Sequence, residues 1–297
     1  MTLELLLQYL VAGLTYGSIY AVVAIGFNII YNATGIINFA QGEFVMLGGM
    51  IAVSLSRAVP LPLAVAGAVA ATAAVGALVE VAFVRWLKRP GVLRLIVITI
   101  GVAILLREGA LAAWGEGVRS LPYFTGDEVS AISLAGARVS PQVLWVLGTT
   151  ALIVAFLSFF FGHTMVGWEM RACASNREAA ALCGIPTRNL VTLSFVLSAA
   201  IGALAGCVVS PITYTSYAIG GPLAIKGFTV AILGGLGNSG GAVAAGLVLG
   251  VLESLSVSLL PTAYKDVVTL TILLAILVVR PSGLFGSREA SRLRDFG

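Results

Sequence analysis

Three polar side chains stand at the head of an otherwise apolar stretch: Asn38, Gln41 and Glu43, in the run Asn38-Phe39-Ala40-Gln41-Gly42-Glu43. Two amides and a carboxylate at this spacing can hold a polar solute. A charge buried in hydrocarbon costs about 2.5–3.5 kcal/mol even on lenient insertion scales, so Glu43 must face a cavity, a partner or the membrane interface. Two arrangements satisfy that requirement. In one, residues 32–43 form a broken helix whose freed backbone groups, with Asn32, Thr34 and Gly35 just upstream, line a substrate path. In the other they form an interfacial turn, with Glu43 solvated and favoured by a helix N-terminus. A second interruption, Gly220-Gly221-Pro222-Leu223-Ala224-Ile225-Lys226, breaks a later apolar run in a comparable way. The candidate substrate path is therefore Asn38, Gln41, Glu43, Gly221 and Lys226.

A third polar feature is an island over residues 163–188. Ser175 followed by Glu178 reads as a capping box, and Gly184 and Pro186 close the segment after about two turns. A short helix capped at both ends is a docking surface, and its candidate residues are Arg171, Ser175, Asn176, Arg177, Glu178, Leu182 and Gly184.

Other chemistries lack their residues. His163 is the sole histidine, so neither a catalytic triad nor a histidine metal cluster is supported. Cys173, Cys183 and Cys207 lack metal or redox spacing and read as small reduced fillers. The lysines are Lys88, Lys226 and Lys265, none preceded by glycine, which excludes a G-x-x-x-x-G-K-[ST] phosphate loop. Any ATP that drives the protein must be bound by a separate ATPase docking on its basic side. Neither a cofactor nor nucleic acid is expected, since a net charge of +4 is spread through loops.

The elements that position these groups are membrane helices. Of the 297 residues 59% are hydrophobic and 10% charged, with a mean hydropathy of +1.04. An ordinary soluble domain has about a quarter of its residues charged. The expected fold is an all-α polytopic bundle of roughly eight or nine helices in a single domain spanning 1–297, with broken helices and a degenerate internal repeat. Apolar runs fall at about 5–31, 39–58, 61–84, 95–114, 142–162, 189–212, 216–236, 241–260 and 264–280. The repeat is suggested by Gln41 to Gly49 and Lys226 to Gly235, which are alike if one gap is allowed. Gly13/Gly17, Gly202/Gly206 and Gly246/Gly250 are small-xxx-small pairs suited to close helix approach. Glu80, Glu253 and Arg107-Glu108 are expected to pair within the chain. Gly234 to Gly241 reads as a turn, or else as a break within the membrane.

Arg85, Lys88, Arg89, Arg94, Arg171, Arg177, Arg188, Arg280, Arg288, Arg292 and Arg294 fall on one side of the alternating runs. Only Arg57, Arg119, Arg138 and Lys265 fall on the other. The positive-inside rule puts the island and a tail over 281–297 in the cytoplasm and the N-terminus outside. The loop from Gly115 to Ser140, with Glu116, Asp127 and Glu128, is then external, either a solvated connector or a cover for the outer mouth.

Gly35-Ile36-Ile37-Asn38-Phe39-Ala40-Gln41-Gly42-Glu43-Phe44 resembles the signature of the branched-chain amino acid ABC transporter permeases of the LivH type. So do Val166-Gly167-Trp168-Glu169-Met170-Arg171-Ala172, the run Phe228 to Gly241, and Tyr264-Lys265-Asp266-Val267-Val268 followed by Arg280-Pro281-Ser282-Gly283-Leu284-Phe285-Gly286. These motifs keep the family's order over nearly the whole chain. Gln41 stands where the family often has histidine, and Val166 where methionine is common. The resemblance implies an inner-membrane permease subunit without an ATP-hydrolysing site. Its partners would be a second, LivM-type permease, two cytoplasmic ATPases and a periplasmic binding protein. It also implies a coupling helix in the island, and as solutes branched-chain or other amino acids, urea, amides or aromatic acids. A secondary transporter driven by an ion gradient is the rival reading, with Glu43 or Arg107-Glu108 as its ionisable site.

Overall fold

The computed structural model describes residues 3–86, 92–127, 129–134, 137–258, 261, 264–280 and 283–284. Lys88, Arg89, Glu128, Pro281, Ser282 and residues 285–297, with Arg288, Arg292 and Arg294, lie outside the described residues.

The helices are α1 (Leu3–Thr34), α2 (Gln41–Leu55), α3 (Leu61–Val79), α4 (Val92–Trp114), α5 (Pro141–His163), α6 (Met165–Ser175), α7 (Arg177–Leu182), α8 (Thr187–Thr213), α9 (Gly220–Leu233), α10 (Ser239–Ser256) and α11 (Lys265–Val279). A π-helical turn, Glu80–Val84, extends α3, and a two-stranded hairpin, β1 (Ile132–Leu134) and β2 (Ala137–Val139), precedes α5. Each of the nine apolar runs contains one helix. Six of them, α1, α3 with its π turn, α4, α5, α8 and α10, are long and apolar enough to cross a membrane. By contrast, α2 and α9 have only 15 and 14 residues. At ~1.5 Å per residue they reach about 22 Å, short of a hydrocarbon core about 30 Å thick.

Buried and exposed faces sort the bundle into centre and rim. The apolar windows of α1 and α8 are 72% and 67% buried, against 28%, 22% and 28% for α3, α4 and α5. Exposed Leu78, Leu105, Leu152 and Phe159 on those outer helices suit contact with lipid. α1 and α8 cross at the centre in opposite directions: Ile30 packs with Val191 and Phe195, and Tyr20 with Val208.

The order long helix, break, short helix, long helix occurs twice, as α1–α2–α3 and, running the other way, as α8–α9–α10. Packing follows the same exchange. α1 lies along α10 as α8 lies along α3; α2 packs on α8 as α9 packs on α1; and α2 and α9 touch each other. This is an inverted repeat about an axis between the two central helices. Its register differs from the sequence match, because Gln41 opens α2 whereas Lys226 lies six residues into α9.

Glycine sets the closest contacts. A Cβ on Gly13 would come 2.7 Å from the Val251 Cα, and one on Gly17 would come 2.6 Å from the Gly246 carbonyl oxygen. The two small-xxx-small pairs of α1 and α10 thus face each other across one seam, and dispersion contacts between the backbones hold it.

The Gly234 to Gly241 segment is a turn. Gly235 and Gly237 have φ of 86° and 89°, and Asn238 caps α10 by accepting from the Gly241 N–H at 2.9 Å. Asn28 and Asn32 of α1 anchor it: the Asn28 amide donates to the Asn238 carbonyl, its Oδ1 accepts from the Gly237 N–H, and Asn32 donates to the Gly237 carbonyl. At the opposite end the loop after α4 is laid over α8. Leu121 is buried there and its N–H donates to Ser210 Oγ, while Arg119 forms a β-bridge with Thr215.

Candidate functional site

The head of α2 is buried inside the bundle, so Glu43 is not solvated, and residues 35–40 are a break between α1 and α2. Asn38, Gln41 and Glu43 are 1%, 0% and 3% exposed. Gly35, at φ 72°, lets the chain leave α1, and Asn38 Oδ1 then accepts from the Ala40 N–H at 3.1 Å, an Asx turn that starts α2.

Gln41 is a pin through three helices. Its Nε2 donates to the Ser198 carbonyl of α8 at 3.3 Å. The Ser198 hydroxyl lies within reach of both Gln41 Oε1 and the Gly26 carbonyl of α1, and with one proton it serves them one at a time. Gly26 is glycine because the Gln41 amide fills the space of its side chain.

Glu43 points at the N-terminal end of α9. Any Cβ on Gly220 would overlap its carboxylate, and any Cβ on Gly42 would overlap the Gly220 carbonyl oxygen. The first turns of α2 and α9 therefore abut backbone to backbone, with a carboxylate held between two helix N-termini where partial positive charge favours it. Glu43 Oε2 and Asn38 Nδ2 are buried without a hydrogen-bond partner among the described residues. Unpaired buried polar atoms are costly and call for an explanation. Gly220 rather than Gly221 makes this contact; a Cβ on Gly221 would meet nothing within 4 Å.

Lys226 belongs to a different cluster. Its Nζ pairs with Glu253 of α10 at 2.5 Å and with Asp266 of α11 at 3.0 Å, and it donates to the Tyr20 hydroxyl of α1 at 3.3 Å. Lys265 reaches the same Glu253 at 3.3 Å and lies over the Tyr16 ring. Two cations and two anions balance, and together they tie α1, α9, α10 and α11. Glu80 and Arg107 also have local partners: Glu80 accepts from Thr192 at 2.7 Å and lies 3.9 Å from Arg85, and Arg107 pairs with Glu108 at 3.5 Å.

The island is two helices, not one. α6 begins at Thr164, whose hydroxyl accepts from the Gly167 N–H at 3.0 Å, and it buries Gly167, Met170 and Cys173 against the bundle. α7 follows after a sharp corner at Asn176. The expected capping box is corrected here: Asn176 is the N-cap, accepting from the Ala179 N–H at 3.0 Å, and Ser175 ends α6. Asn176 wins because its extended backbone, φ −154°, breaks the helix at that residue. The other end is as expected. Gly184 has φ 84°, and the Gly184 and Ile185 N–H groups donate to the Ala181 and Ala180 carbonyls, a Schellman closure. Only Ala180 of α7 is buried; Arg177, Glu178 and Leu182 are exposed, Leu182 at 90%. Cys183, expected as a filler, is exposed, while Cys173 and Cys207 are buried.

Half-length helices meeting at a buried carboxylate, within an inverted repeat, are an arrangement suited to transport. A family model described as "Branched-chain amino acid transport system / permease component" matches residues 9–277. The chain belongs to this family. The high-affinity branched-chain amino acid transport system permease protein BraD of Pseudomonas aeruginosa is 33% identical, over 97% of this chain and 98% of its own. Its counterpart LivH of Escherichia coli K12 is 34% identical, over 97% of each chain. Among solved structures, a metal-chelate type ABC transporter in an inward-facing conformation shares the fold, with a TM-score of 0.50, 16% identity, and coverage of 92% of this chain and 87% of that one. Family membership makes the chain a multi-pass permease subunit and does not favour the ion-gradient reading.

Asn38, Gln41 and Glu43 all lie buried at the head of α2, where Gln41 meets α1 and α8 and Glu43 meets α9; sequence reasoning missed the partners Gly26, Ser198 and Gly220. It also missed α6, although Thr164 three residues before Gly167 was a readable cap. The grouping of Lys226 with Glu43 rested on both interrupting apolar runs. In the folded chain Lys226 lies six residues beyond Gly220, about 240° around α9, and so faces α10 and α11.

Proposed function

We propose that this chain is one of two related permease subunits of an ABC importer that moves a branched-chain or similar amino acid from periplasm to cytoplasm. A LivM-type permease, two cytoplasmic ATPases and a periplasmic binding protein complete the transporter. The observation that carries this reading is α7, a short helix capped at both ends, exposed except at Ala180 and joined to the bundle by α6. ATP is bound by the partner ATPases, in keeping with the missing phosphate loop.

In this reading the α6–α7 end and the C-terminus are cytoplasmic and the N-terminus is external. Arg85, Arg171, Arg177, Arg188 and Arg280 gather at that end, and Arg57 and Arg119 at the other. ATP-driven closure of the ATPases displaces α7. α6 carries the displacement to α1, α5 and α8, on which it packs. Because α1 and α8 hold the Gln41 pin, their movement parts the heads of α2 and α9 and opens the path by alternating access. Asn38, Glu43 and Gly221 are assigned to that path: the Glu43 carboxylate suits the solute's ammonium group, and the N-terminal N–H groups of α9 suit its carboxylate. Gln41 acts as the pin, and Lys226 braces α9.

Uptake of radiolabelled leucine, isoleucine and valine by proteoliposomes holding the complete transporter tests this. The Arg177→Ala/Glu178→Ala variant should assemble yet lose ATP-driven uptake. Undiminished uptake would remove α7 from coupling.

A further inference from the structure

The end of α3 lies beside a cavity that the solute path does not include. A cavity of about 250 Å³ opens between the ends of α1 and α3 and the starts of α4, α7 and α8. Three guanidinium groups, Arg85, Arg177 and Arg188, line it with a single carboxylate, Glu80. Glu80 is engaged by the Thr192 hydroxyl, and the Arg85 Nε lies 3.9 Å from it, beyond hydrogen-bond range. That Nε is buried without a hydrogen-bond partner among the described residues. Arg177 and Arg188 form no ion pair among the described residues. A net charge of about +2 thus lines the cavity, with Arg177 and Arg188 reaching solvent and the Arg85 Nε buried in its wall. The π turn creates this geometry: the Arg85 N–H bonds back to the Glu80 carbonyl at 2.8 Å, the five-residue step that aligns the two side chains.

Val84, Leu95 and Val191 give the cavity an apolar side, and Thr34, Gly35 and Ile36 complete its wall. Trp86, next in the chain to Arg85, and Leu93, two residues before Leu95, are 77% and 75% exposed. An exposed tryptophan at the end of a spanning helix marks the headgroup level of a bilayer. Guanidinium forks complement phosphate oxygens, and apolar walls complement acyl chains.

We propose that this cavity binds the phosphate headgroup of an anionic phospholipid, with the first carbons of its chains against Val84, Leu95 and Val191. Because Arg177 opens α7, the bound phosphate also steadies the base of that helix. The site is independent of which solute is carried.

Native mass spectrometry of the full chain, released from micelles containing equal phosphatidylglycerol and phosphatidylcholine, tests the proposal. One phosphatidylglycerol should be retained in preference to phosphatidylcholine. The Arg85→Gln/Arg188→Gln variant should weaken that retention roughly thirtyfold, from the contribution of two basic residues. Arg57→Gln, at the opposite end, should leave it unchanged. Equal retention of the two lipids by the unmodified chain overturns the proposal without reliance on any variant. Preference that survives the double substitution overturns the location, and displacement of the lipid by millimolar inorganic phosphate marks a soluble-anion site instead.

Discussion

The two breaks of the inverted repeat solve one problem with opposite chemistry. Between α1 and α2 the chain turns at Gly35, φ 72°, and buries Asn38, Gln41 and Glu43 at the head of the short helix. Between α8 and α9 it turns at Tyr214, φ 60° and ψ 175°, a region open almost solely to glycine, and its short helix starts with bare glycine backbone. The first half supplies the charge, and the second supplies the space and the helix end that receive it. Further along α9 the second half carries its own charge, Lys226, but neutralises it within an ion cluster. One site is held by backbone and amide, and the other by ion pairs. The contrast separates a place built to part from a place built to hold.

The largest effect should come from the holding cluster. Lys226→Ala leaves Glu253, 1% exposed, short of its nearest cation, and removing one partner of a buried pair costs about 3–5 kcal/mol. Thermal unfolding of the detergent-solubilised chain should show that loss, and Lys226→Met/Glu253→Gln should recover much of it. A double variant as unstable as the single one would mean that the cluster is not a brace.

Next come the glycines of the parting site. Gly42→Ala and Gly220→Ala each force α2 from α9 and should cost about 1–3 kcal/mol by overpacking. Gly221→Ala, one residue on, meets open space and should be nearly neutral in the same assay. Equal effects at Gly220 and Gly221 would break the proposed contact with Glu43.

A smaller and opposite pair concerns the turns. Gly35→Ala should destabilise by about 1–2 kcal/mol, because an L side chain resists that backbone conformation. Tyr214→Gly should stabilise by up to about 1 kcal/mol, strain relief being partly offset by glycine's entropy. Smallest is Asn176→Ala, which removes the α7 cap at about 1 kcal/mol and should lower uptake more than it lowers global stability. Ser175→Ala should do neither.

How far the sequence carried this account depends on the range of each interaction. Hydropathy located all nine apolar helices, since a bilayer imposes its own length scale. It overestimated α2 and α9, because Phe39, Ala40 and Ile219 are apolar yet lie outside the helices. Local capping was legible at Gly184, where φ demands glycine, and was misassigned by one residue at Ser175, where two good caps are adjacent. Contacts between residues far apart were not legible. Nothing in the spacing of Gly26, Gln41 and Ser198 announces a pin, and nothing in Gly220 announces Glu43, because both depend on how α8 and α9 fold back on α1 and α2.

The three cysteines offer the most direct test of α7 as the ATPase contact. Burial holds the Cys173 thiol above its ordinary pKa, Cys207 is buried, and Cys183, at the C-cap of α7, is exposed. Labelling of Cys183 by a membrane-impermeant maleimide should therefore be read in inverted vesicles with the ATPase subunits present and then stripped away. The account predicts protection in the complete transporter and rapid labelling after stripping. Equal labelling in both states, or labelling from the periplasmic side, would contradict it.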